Sequence, residues 1–483
     1  MKVKNYIKSA SFIFLRDAIL RVGGFIITVF LARTLSTLNM GLYSLFMRMT
    51  EVIAGLYRVG GFETSGHVLA SQNSNQKNLI NVISVPLIIR ILISLLFTIS
   101  FFLFPYQISN NILNQPDLEP LIKILGVYCF LISLDTLIES FLKGFSLFKE
   151  VSIFQSSCAI LMLIIVPILT MSFGLVGAIF SMTCIQLLRL LGQLFILIKH
   201  FKGKKFRLKI KRFFYYLFVH LRLGIPISIP ILVGAPVLTY LYSSLSSVES
   251  LDVYAQLRVI VALAVFLTII PNALLPIFIT AMSKSNDNRD VLLSNNFKFT
   301  FFVSLIMAIL LICILPEFNL LMFGSDYILA NSGFLIYLHT IIFLNLVNLF
   351  SSHFVSIKKP SIVLLTNLMM YFVFVIAGHF LIKSNGLFGF LYAELLANLF
   401  MLIIISLFAI NEAENKNSFL LIILKMIFIY SLFTFFINFV ANIDALIQRM
   451  LAALFLTGVL SSLILVTLFS PSERKKIRSL IPI

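Results

Sequence analysis

The sequence contains little charge and no tryptophan. Of its 483 residues, 12% are charged and 60% are hydrophobic, whereas an ordinary soluble domain is about 25% charged and roughly 45–50% apolar. This composition excludes a water-soluble globular protein. Cysteine is also scarce, and its four copies lie inside apolar runs without paired spacing, which argues against a disulfide or metal framework. These residues are Cys129, Cys158, Cys184 and Cys313.

Long apolar runs are what the sequence has instead. They recur from Phe12 to Phe469 at about the 20 residues that a transmembrane helix requires. Near-continuous runs such as residues 87–103 exclude a membrane β-barrel, whose strands alternate apolar and polar residues. The pattern predicts an all-α polytopic membrane protein with about fourteen transmembrane helices. The predicted spans are residues 12–32, 42–65, 80–103, 119–142, 151–172, 174–198, 221–244, 253–279, 297–315, 332–356, 361–382, 386–410, 419–441 and 450–469.

The first of these runs follows three lysines, as a secretory signal would. However, Arg16, Asp17 and Arg21 interrupt the run, and no small-residue cleavage pattern follows it. We therefore interpret it as a retained first span.

The distribution of basic residues predicts the orientation. If the N-terminus is cytoplasmic, the cytoplasmic segments hold twenty-four Lys and Arg residues and the opposite segments hold three. Cytoplasmic loops are enriched in Lys and Arg, so both termini are expected inside. The net charge of +18 is then mostly a topology signal, and nucleic acid is not an expected partner. Residues 199–212 carry eight basic residues and are predicted to be a cytoplasmic connector without a further role. The alternative is that this segment binds anionic lipid or a partner protein.

The sequence also repeats itself at offsets of 209 to 212 residues, in five ordered matches. The clearest are Val22-Gly23 with Val233-Gly234, and Gly174-Leu175-Val176-Gly177 with Gly386-Leu387-Phe388-Gly389. Six spans per copy give both copies the same orientation. The predicted organisation is two six-helix lobes in a parallel pseudo-repeat, residues 1–198 and 213–410, joined by the basic linker 199–212. Residues 411–483 supply a C-terminal helix pair and a basic cytoplasmic tail. Such a duplication is typical of a transporter that rocks about a central cavity.

The end of the first helix and the start of the second carry a family resemblance. Phe30-Leu31-Ala32-Arg33, then Leu35-Ser36 and Gly41-Leu42-Tyr43, together with the 6+6+2 helix plan, resemble the Wzx-type polysaccharide flippases. These belong to the multidrug/oligosaccharidyl-lipid/polysaccharide exporter superfamily, with the lipid II flippases and the multidrug and toxin extruders.

The resemblance implies a transporter rather than an enzyme. Its expected activity is movement of an undecaprenyl-pyrophosphate-linked oligosaccharide, such as an O-antigen unit for lipopolysaccharide, to the periplasmic leaflet of a bacterial inner membrane. The expected partners are this lipid-linked oligosaccharide, membrane lipids, a polysaccharide polymerase and a chain-length regulator. No metal or cofactor motif is present, so the expected driving force is an H⁺ or Na⁺ gradient, the membrane potential or downstream consumption of substrate.

Sixteen ionisable residues fall within the predicted spans, ten basic and six acidic. Charges at membrane depth are costly unless they are paired or hydrated, so they are expected to face an interior that is cationic. Guanidinium groups suit a pyrophosphate because they offer permanently charged, paired donors. The predicted substrate-binding residues are Arg21, Arg48, Arg58 and Arg258. The predicted cavity or coupling residues are Asp17, Glu51, Glu63, Asp135, Glu139 and Arg189.

Two simpler interpretations stay open. The same charges could form internal ion pairs, for example Asp17 with Arg21, Glu51 with Arg48 or Arg58, and Asp135 or Glu139 with Arg189. Other basic side chains are long enough to reach an interface by snorkelling, namely Arg90, Lys123, Arg222 and Lys425. Helix breakers at corresponding positions of the two copies predict hinges, although membrane helices also tolerate them for structural reasons. The hinge candidates are Gly23, Gly24, Pro226, Pro230 and Pro236.

Two rival functions follow from the same features. A membrane-embedded polysaccharide polymerase or ligase would also be basic and polytopic, but the outside connections near residues 104–118 and 316–331 are too short for a catalytic domain. An ion-coupled multidrug exporter of the same superfamily is the other rival. Cationic drugs would suit an acidic cavity, which is opposite in sign to the one predicted here.

Overall fold

The computed structural model describes residues 3–57, 61–63, 65–66, 76–112, 116, 119–145, 147–201, 210–284, 289–357, 359–443 and 445–468. Within these residues the chain is helical and contains no strand. Two short helices, a π-helix at Gln107–Ile112 and a 3₁₀-helix at Ser325–Tyr327, lie in connections. The main helices are α1 Val3–Thr34, α2 Thr37–Tyr57, α3 Gln76–Leu103, α4 Glu119–Gly144, α5 Phe148–Phe201, α6 Ile210–Ser246, α7 Asp252–Lys284, α8 Arg289–Met322, α9 Leu329–Ser356, α10 Pro360–Glu412, α11 Lys416–Ala441 and α12 Leu446–Leu468.

Two of these helices are double spans. A glycine with positive φ interrupts each one, Gly174 at φ 58° in α5 and Gly386 at φ 52° in α10. Counting the halves separately gives fourteen span-length helical segments in the described chain, and this confirms the predicted all-α polytopic fold. Ten of the helices, α3 to α12, are long and apolar enough to cross a membrane.

The two glycine turns have the same geometry. A Cβ atom on Gly177 would lie 2.0 Å from the carbonyl oxygen of Leu169, and one on Gly389 would lie 1.9 Å from that of Leu381. Only glycine fits where the backbone approaches this closely. Since Gly389 and Leu381 each lie 212 residues after their counterparts, the sequence repeat corresponds to a structural one.

Helices extend further than the apolar runs predicted. α1 begins at Val3 rather than at residue 12, and α6 begins at Ile210 rather than at residue 221. Hydropathy marks only the part of a helix that lies in hydrocarbon, whereas polar residues at the membrane edge can continue the same helix. The predicted second span, 42–65, also begins earlier in the structure, because α2 starts five residues before it at Thr37. Residues 58–60 and 64 of this span lie outside the described chain.

By contacts the chain divides into two compact units. Unit 1 comprises residues 1–262 and 367–393, and unit 2 comprises residues 263–366 and 394–483. The boundaries of the two lobes and of the linker, whose residues 202–209 lie outside the described chain, stay a prediction. Within unit 1, α5 packs against α1 and α4, and α2 packs against α4 and α6. Within unit 2, α8 packs against α9, α11 and α12.

Two close contacts fix α2 in unit 1. A Cβ atom on Gly41 would lie 2.1 Å from the carbonyl oxygen of Leu251, so the start of α2 lies directly against the residue that precedes α7. After α2, Gly61 has φ 57°, and a Cβ there would lie 2.4 Å from the Cα of Gly224 in α6. These contacts explain the glycine of the Gly41-Leu42-Tyr43 motif, because any larger residue would separate α2 from α7.

A buried histidine links α6 to α3. The His220 side chain is fully buried; its Nδ1 lies 2.8 Å from the Ser65 hydroxyl and its Nε2 lies 3.0 Å from the Val82 carbonyl oxygen. Because a carbonyl only accepts, Nε2 carries the proton, and Nδ1 accepts from the serine in the neutral ring. The contact holds the first helix of the second repeat against the first repeat.

Candidate functional site

An ionic cluster joins α1, α4 and α5 in unit 1. Arg16 of α1 donates to the Asp17 carboxylate at 2.7 Å and to the Glu139 carboxylate of α4 at 3.1 Å. Glu139 also accepts from Lys143, one turn later on α4, at 2.7 Å. Asp17 therefore pairs with its neighbour in sequence, Arg16, and Arg16 bridges two helices.

Arg189 completes this cluster from the second half of α5. Its guanidinium lies 3.1 Å from the Asp135 carboxylate and 3.9 Å from that of Glu139. Asp135, Glu139 and Lys143 follow at i+4 spacing and so share one helix face. We name these six residues the charged cluster: Arg16, Asp17, Asp135, Glu139, Lys143 and Arg189. It contains three cations and three anions, so its charges cancel.

A second buried pair ties α3 to the segment that follows α2. The Arg90 guanidinium lies 3.4 Å from the Glu63 carboxylate, which also accepts from the Thr136 hydroxyl at 2.9 Å. Arg90 is only 1% exposed. Of the two interpretations left open for Arg90, the structure therefore favours an internal ion pair over snorkelling, because its partner lies inside the bundle. Lys123 and Arg222, by contrast, are exposed.

Arg48 and Glu51 occupy the accessible strip of α2. Their side chains are 3.1 Å apart and are 16% and 60% exposed, whereas residues 40–46, 49, 50, 52 and 53 are buried. A carboxylate as exposed as Glu51 cannot face hydrocarbon without a large cost. This strip therefore faces water or a polar ligand.

Tyr128 of α4 interacts electrostatically with three residues that have buried hydrogen-bond donors. The Tyr43 hydroxyl, the Arg189 Nε and the Arg258 Nε are each buried and have no hydrogen-bond partner in the described chain. Tyr128 lies within electrostatic range of all three residues, and Arg258 within range of Tyr43. We name Tyr43, Tyr128, Arg189 and Arg258 the donor group; it draws on α2, α4, α5 and α7.

Such an arrangement suits an anion. Buried polar groups are almost always hydrogen-bonded, so several neighbouring donors without acceptors require an explanation such as a ligand. Arginine Nε and tyrosine O–H donate to phosphate oxygens, and guanidinium bonds to phosphate are charge-assisted. Arg258 also lies outside the ion pairs of the described chain, so its charge is not cancelled by a carboxylate there.

The remaining predicted residues are less informative. Arg21 is half-buried on α1, one turn before Gly24, whose carbonyl accepts from the Thr28 hydroxyl at 2.8 Å. Arg58 lies outside the described residues. Their roles, like those of the other candidate residues, stay predictions.

The hinge candidates lie in unbroken helices. α1 continues through Gly23 and Gly24, and a Cβ at either would meet no atom within 4 Å. α6 continues through positions 226, 230 and 236, where Pro230 is half-buried and Pro236 is exposed; the Pro226 side chain lies outside the described residues. Helical geometry in one conformation does not test a hinge, so these residues too stay predictions.

Sequence reasoning missed the connecting role of Arg16 and the participation of Tyr43. Both are visible only in three dimensions, because Arg16 meets Glu139 across 123 residues. A usable signal existed on α5, where Gln186, Arg189 and Gln193 put polar groups on one helix face within an apolar run. In the described chain, no group of three or more His, Cys, Asp or Glu residues could hold a metal ion.

This chain resembles known proteins in sequence and in structure. Residues 7–278, more than half of the chain, match the family model described as polysaccharide biosynthesis protein. No curated protein matches the sequence.

Solved structures share the fold. A lipid II flippase MurJ in an inward closed conformation aligns with a TM-score of 0.71 at 18% identity, covering 94% of this chain and 98% of the flippase. An inward-facing multidrug resistance transporter of the MATE family aligns at 0.62 and 16% identity, covering 82% and 96%. A MOP superfamily transporter from Pyrococcus furiosus, whose binding pocket is described as reversed in polarity, aligns at 0.62 and 15% identity, covering 83% and 94%. These similar structures are transporters and flippases, not enzymes.

Proposed function

Because the chain belongs to the polysaccharide biosynthesis protein family, we propose that it is a flippase for an undecaprenyl-pyrophosphate-linked oligosaccharide. It moves this lipid from the cytoplasmic to the periplasmic leaflet of a bacterial inner membrane, supplying O-antigen or a related surface polysaccharide. The fold it shares with a lipid II flippase supports a substrate of this chemical class.

The donor group is the observation that carries the proposal. A pyrophosphate has two phosphoryl groups and several acceptor oxygens. The Tyr43 hydroxyl, the Arg189 Nε and the Arg258 Nε, which have no acceptor in the described chain, are suited to donate hydrogen bonds to these oxygens. Arg21 lies in the same unit, and Arg48, whose charge Glu51 balances, lies on the accessible strip of α2. A cationic drug is disfavoured at this site, because the guanidinium of Arg258 would repel it.

The proposal extends to energy coupling, orientation and partners. Transport proceeds by alternating access and draws on an H⁺ or Na⁺ gradient, on the membrane potential or on consumption of the product by a polymerase and its chain-length regulator. Both termini are cytoplasmic. Reporter fusions after Ser472 should read cytoplasmic and those after Asn114 periplasmic; a periplasmic reading after Ser472 contradicts this orientation.

The decisive experiment substitutes Arg258. Arg258→Ala removes a guanidinium that donates hydrogen bonds to the anion, and such charge-assisted hydrogen bonds contribute about 1.5–3 kcal/mol. Transport of lipid-linked oligosaccharide in proteoliposomes should therefore fall by about tenfold or more. Arg258→Lys should restore only part of it, because an ammonium has no planar fork of donors.

Arg222→Ala is the matched control, since Arg222 is an exposed arginine on α6. It should transport like the wild-type protein. Measuring the amount of folded protein in the membrane separates lost transport from lost protein. Full transport by Arg258→Ala at normal abundance would show that this arginine does not hold the pyrophosphate.

A further inference from the structure

Unit 2 contains a pocket with polar and apolar walls that plays no part in the site above. It measures 530 Å³ and lies where the start of α8, the start of α11 and the end of α12 come together. Two lysines line it, Lys298 of α8 and Lys425 of α11. Lys425 donates to the Thr467 carbonyl of α12 at 3.0 Å.

The pocket is electropositive. Lys298 is only 6% exposed, so its charge is screened little by bulk water. The first turn of α8 also lines the pocket, and N–H groups at the start of a helix have no intrahelical acceptor. Its one acidic lining residue, Asp290, accepts from the Glu414 backbone N–H at 2.6 Å, and the two lysines outnumber it. The chemistry therefore favours an anion such as a phosphate.

One wall of the pocket is apolar. Phe419 and Leu421 of α11 and Val466 of α12 line it, and the last two are 52% and 62% exposed. These exposed apolar residues lie on membrane-spanning helices, where the surrounding medium is lipid. A ligand that joins a phosphate to hydrocarbon would satisfy the lysines and the apolar wall together.

We propose that this pocket binds the phosphate headgroup of an anionic membrane lipid. The basic residues that flank α8 and α11 place the pocket at the predicted cytoplasmic face, and basic pockets between helices on that face bind anionic headgroups. Lys298 and Lys425 contact the phosphate, and the apolar wall contacts the start of an acyl chain. The site is separate from the donor group, so the assignment does not depend on the transported substrate.

The test uses the full-length protein, delipidated in detergent and titrated with phosphatidylglycerol, phosphatidylcholine or inorganic phosphate. Bound lipid is counted by native mass spectrometry. Each lysine near an anionic lipid contributes about 1 kcal/mol, so Lys425→Gln and Lys298→Gln should each weaken phosphatidylglycerol binding about fivefold. Lys416→Gln is the matched control, because Lys416 is exposed on the same helix and lies outside the pocket; it should bind like the wild type.

The three ligands distinguish the sources of phosphate. Preferential binding of phosphatidylglycerol supports a lipid site, whereas equal binding of phosphatidylcholine or saturation by inorganic phosphate overturns it. Because Lys298 is buried, Lys298→Gln can also lower stability. Lys425→Gln, at a half-exposed position, then decides the question, and unchanged phosphatidylglycerol binding by that variant contradicts the proposal.

Discussion

The two repeats share a backbone plan but differ in the chemistry of their interiors. Asp135 of the charged cluster corresponds, at an offset of 210 residues, to Asn345 of α9. Arg189 corresponds at 212 residues to Met401, and Arg16 corresponds at 211 to Ile227. The second repeat therefore forms equivalent helices without these charges, which means that the fold does not require them.

The second repeat has neutral groups at the corresponding polar position. The Asn345 amide donates to the Leu267 carbonyl at 3.2 Å and to the Ser304 hydroxyl at 3.1 Å. A neutral amide needs no counter-ion and is cheaper to bury than a carboxylate. The charges of the first repeat are thus an addition to the common plan, and we ascribe them to transport.

The largest loss of stability is expected from leaving a buried carboxylate of the charged cluster without its cation. Arg189→Ala removes the Arg189 guanidinium from buried Asp135, and breaking a buried ion pair costs roughly 3–5 kcal/mol. Membrane abundance and the thermal unfolding midpoint should both fall markedly. The double variant Asp135→Asn with Arg189→Met, which imitates the second repeat, should recover most of that stability.

The double variant gives the first repeat the neutral residues of the second, so it separates the effect of these charges on folding from their effect on transport. Glu139 keeps Arg16 and Lys143 as partners, so no buried carboxylate is left without a cation. Its transport should remain below a tenth of the wild-type rate per folded molecule, since Arg189 belongs to the donor group. Normal transport by a stable double variant would show that these charges are dispensable for both folding and transport.

The glycine turns test the backbone geometry that the two repeats have in common. Gly177→Ala and Gly389→Ala each place a Cβ within 2.0 Å of a backbone oxygen, so the backbone must move. We expect each to lower the free energy of unfolding by roughly 1–3 kcal/mol, with similar values for the two. Thermal unfolding in detergent measures both, and Gly458→Ala, at a site with no atom within 4 Å of the added Cβ, is the control. A large difference between the turns would contradict their equivalence.

Sequence patterns predicted the features that depend on one helix at a time. Hydropathy predicted the spans, because length and apolarity are local properties. The matched glycine motifs predicted the repeat, and the structure adds that Gly174 and Gly386 form turns with positive φ. The i+4 spacing of Asp135, Glu139 and Lys143 is likewise local, and it places the three side chains on one face of α4. The pattern within one helix does not predict which side chains of other helices it contacts. Arg16 with Glu139 and Arg90 with Glu63 are separated by long stretches of chain, and single-helix periodicity leaves open which neighbour an inward-facing charge will meet.

The smallest structural effect is expected at Asp17, which is the accessible end of the charged cluster. Its side chain is 47% exposed, and exposed ion pairs contribute only about 0–1 kcal/mol. Asp17→Asn should therefore keep near-normal membrane abundance and still bind the lipid-linked sugar. Asp17 has no charged equivalent in the second repeat, where position 228 is serine.

If the charges are an addition for transport, Asp17 is well placed to exchange a proton or bind a sodium ion, because its side chain is 47% exposed while Arg16 holds its carboxylate in position. We therefore expect flipping by Asp17→Asn in vesicles to lose its dependence on an imposed ion gradient. Glu412→Gln is the control, since Glu412 is also an exposed member of an ion pair, with Lys359, and is not a coupling candidate; it should retain gradient dependence. Reduced abundance of Asp17→Asn with unchanged gradient dependence would instead show that Asp17 serves only to neutralise arginine.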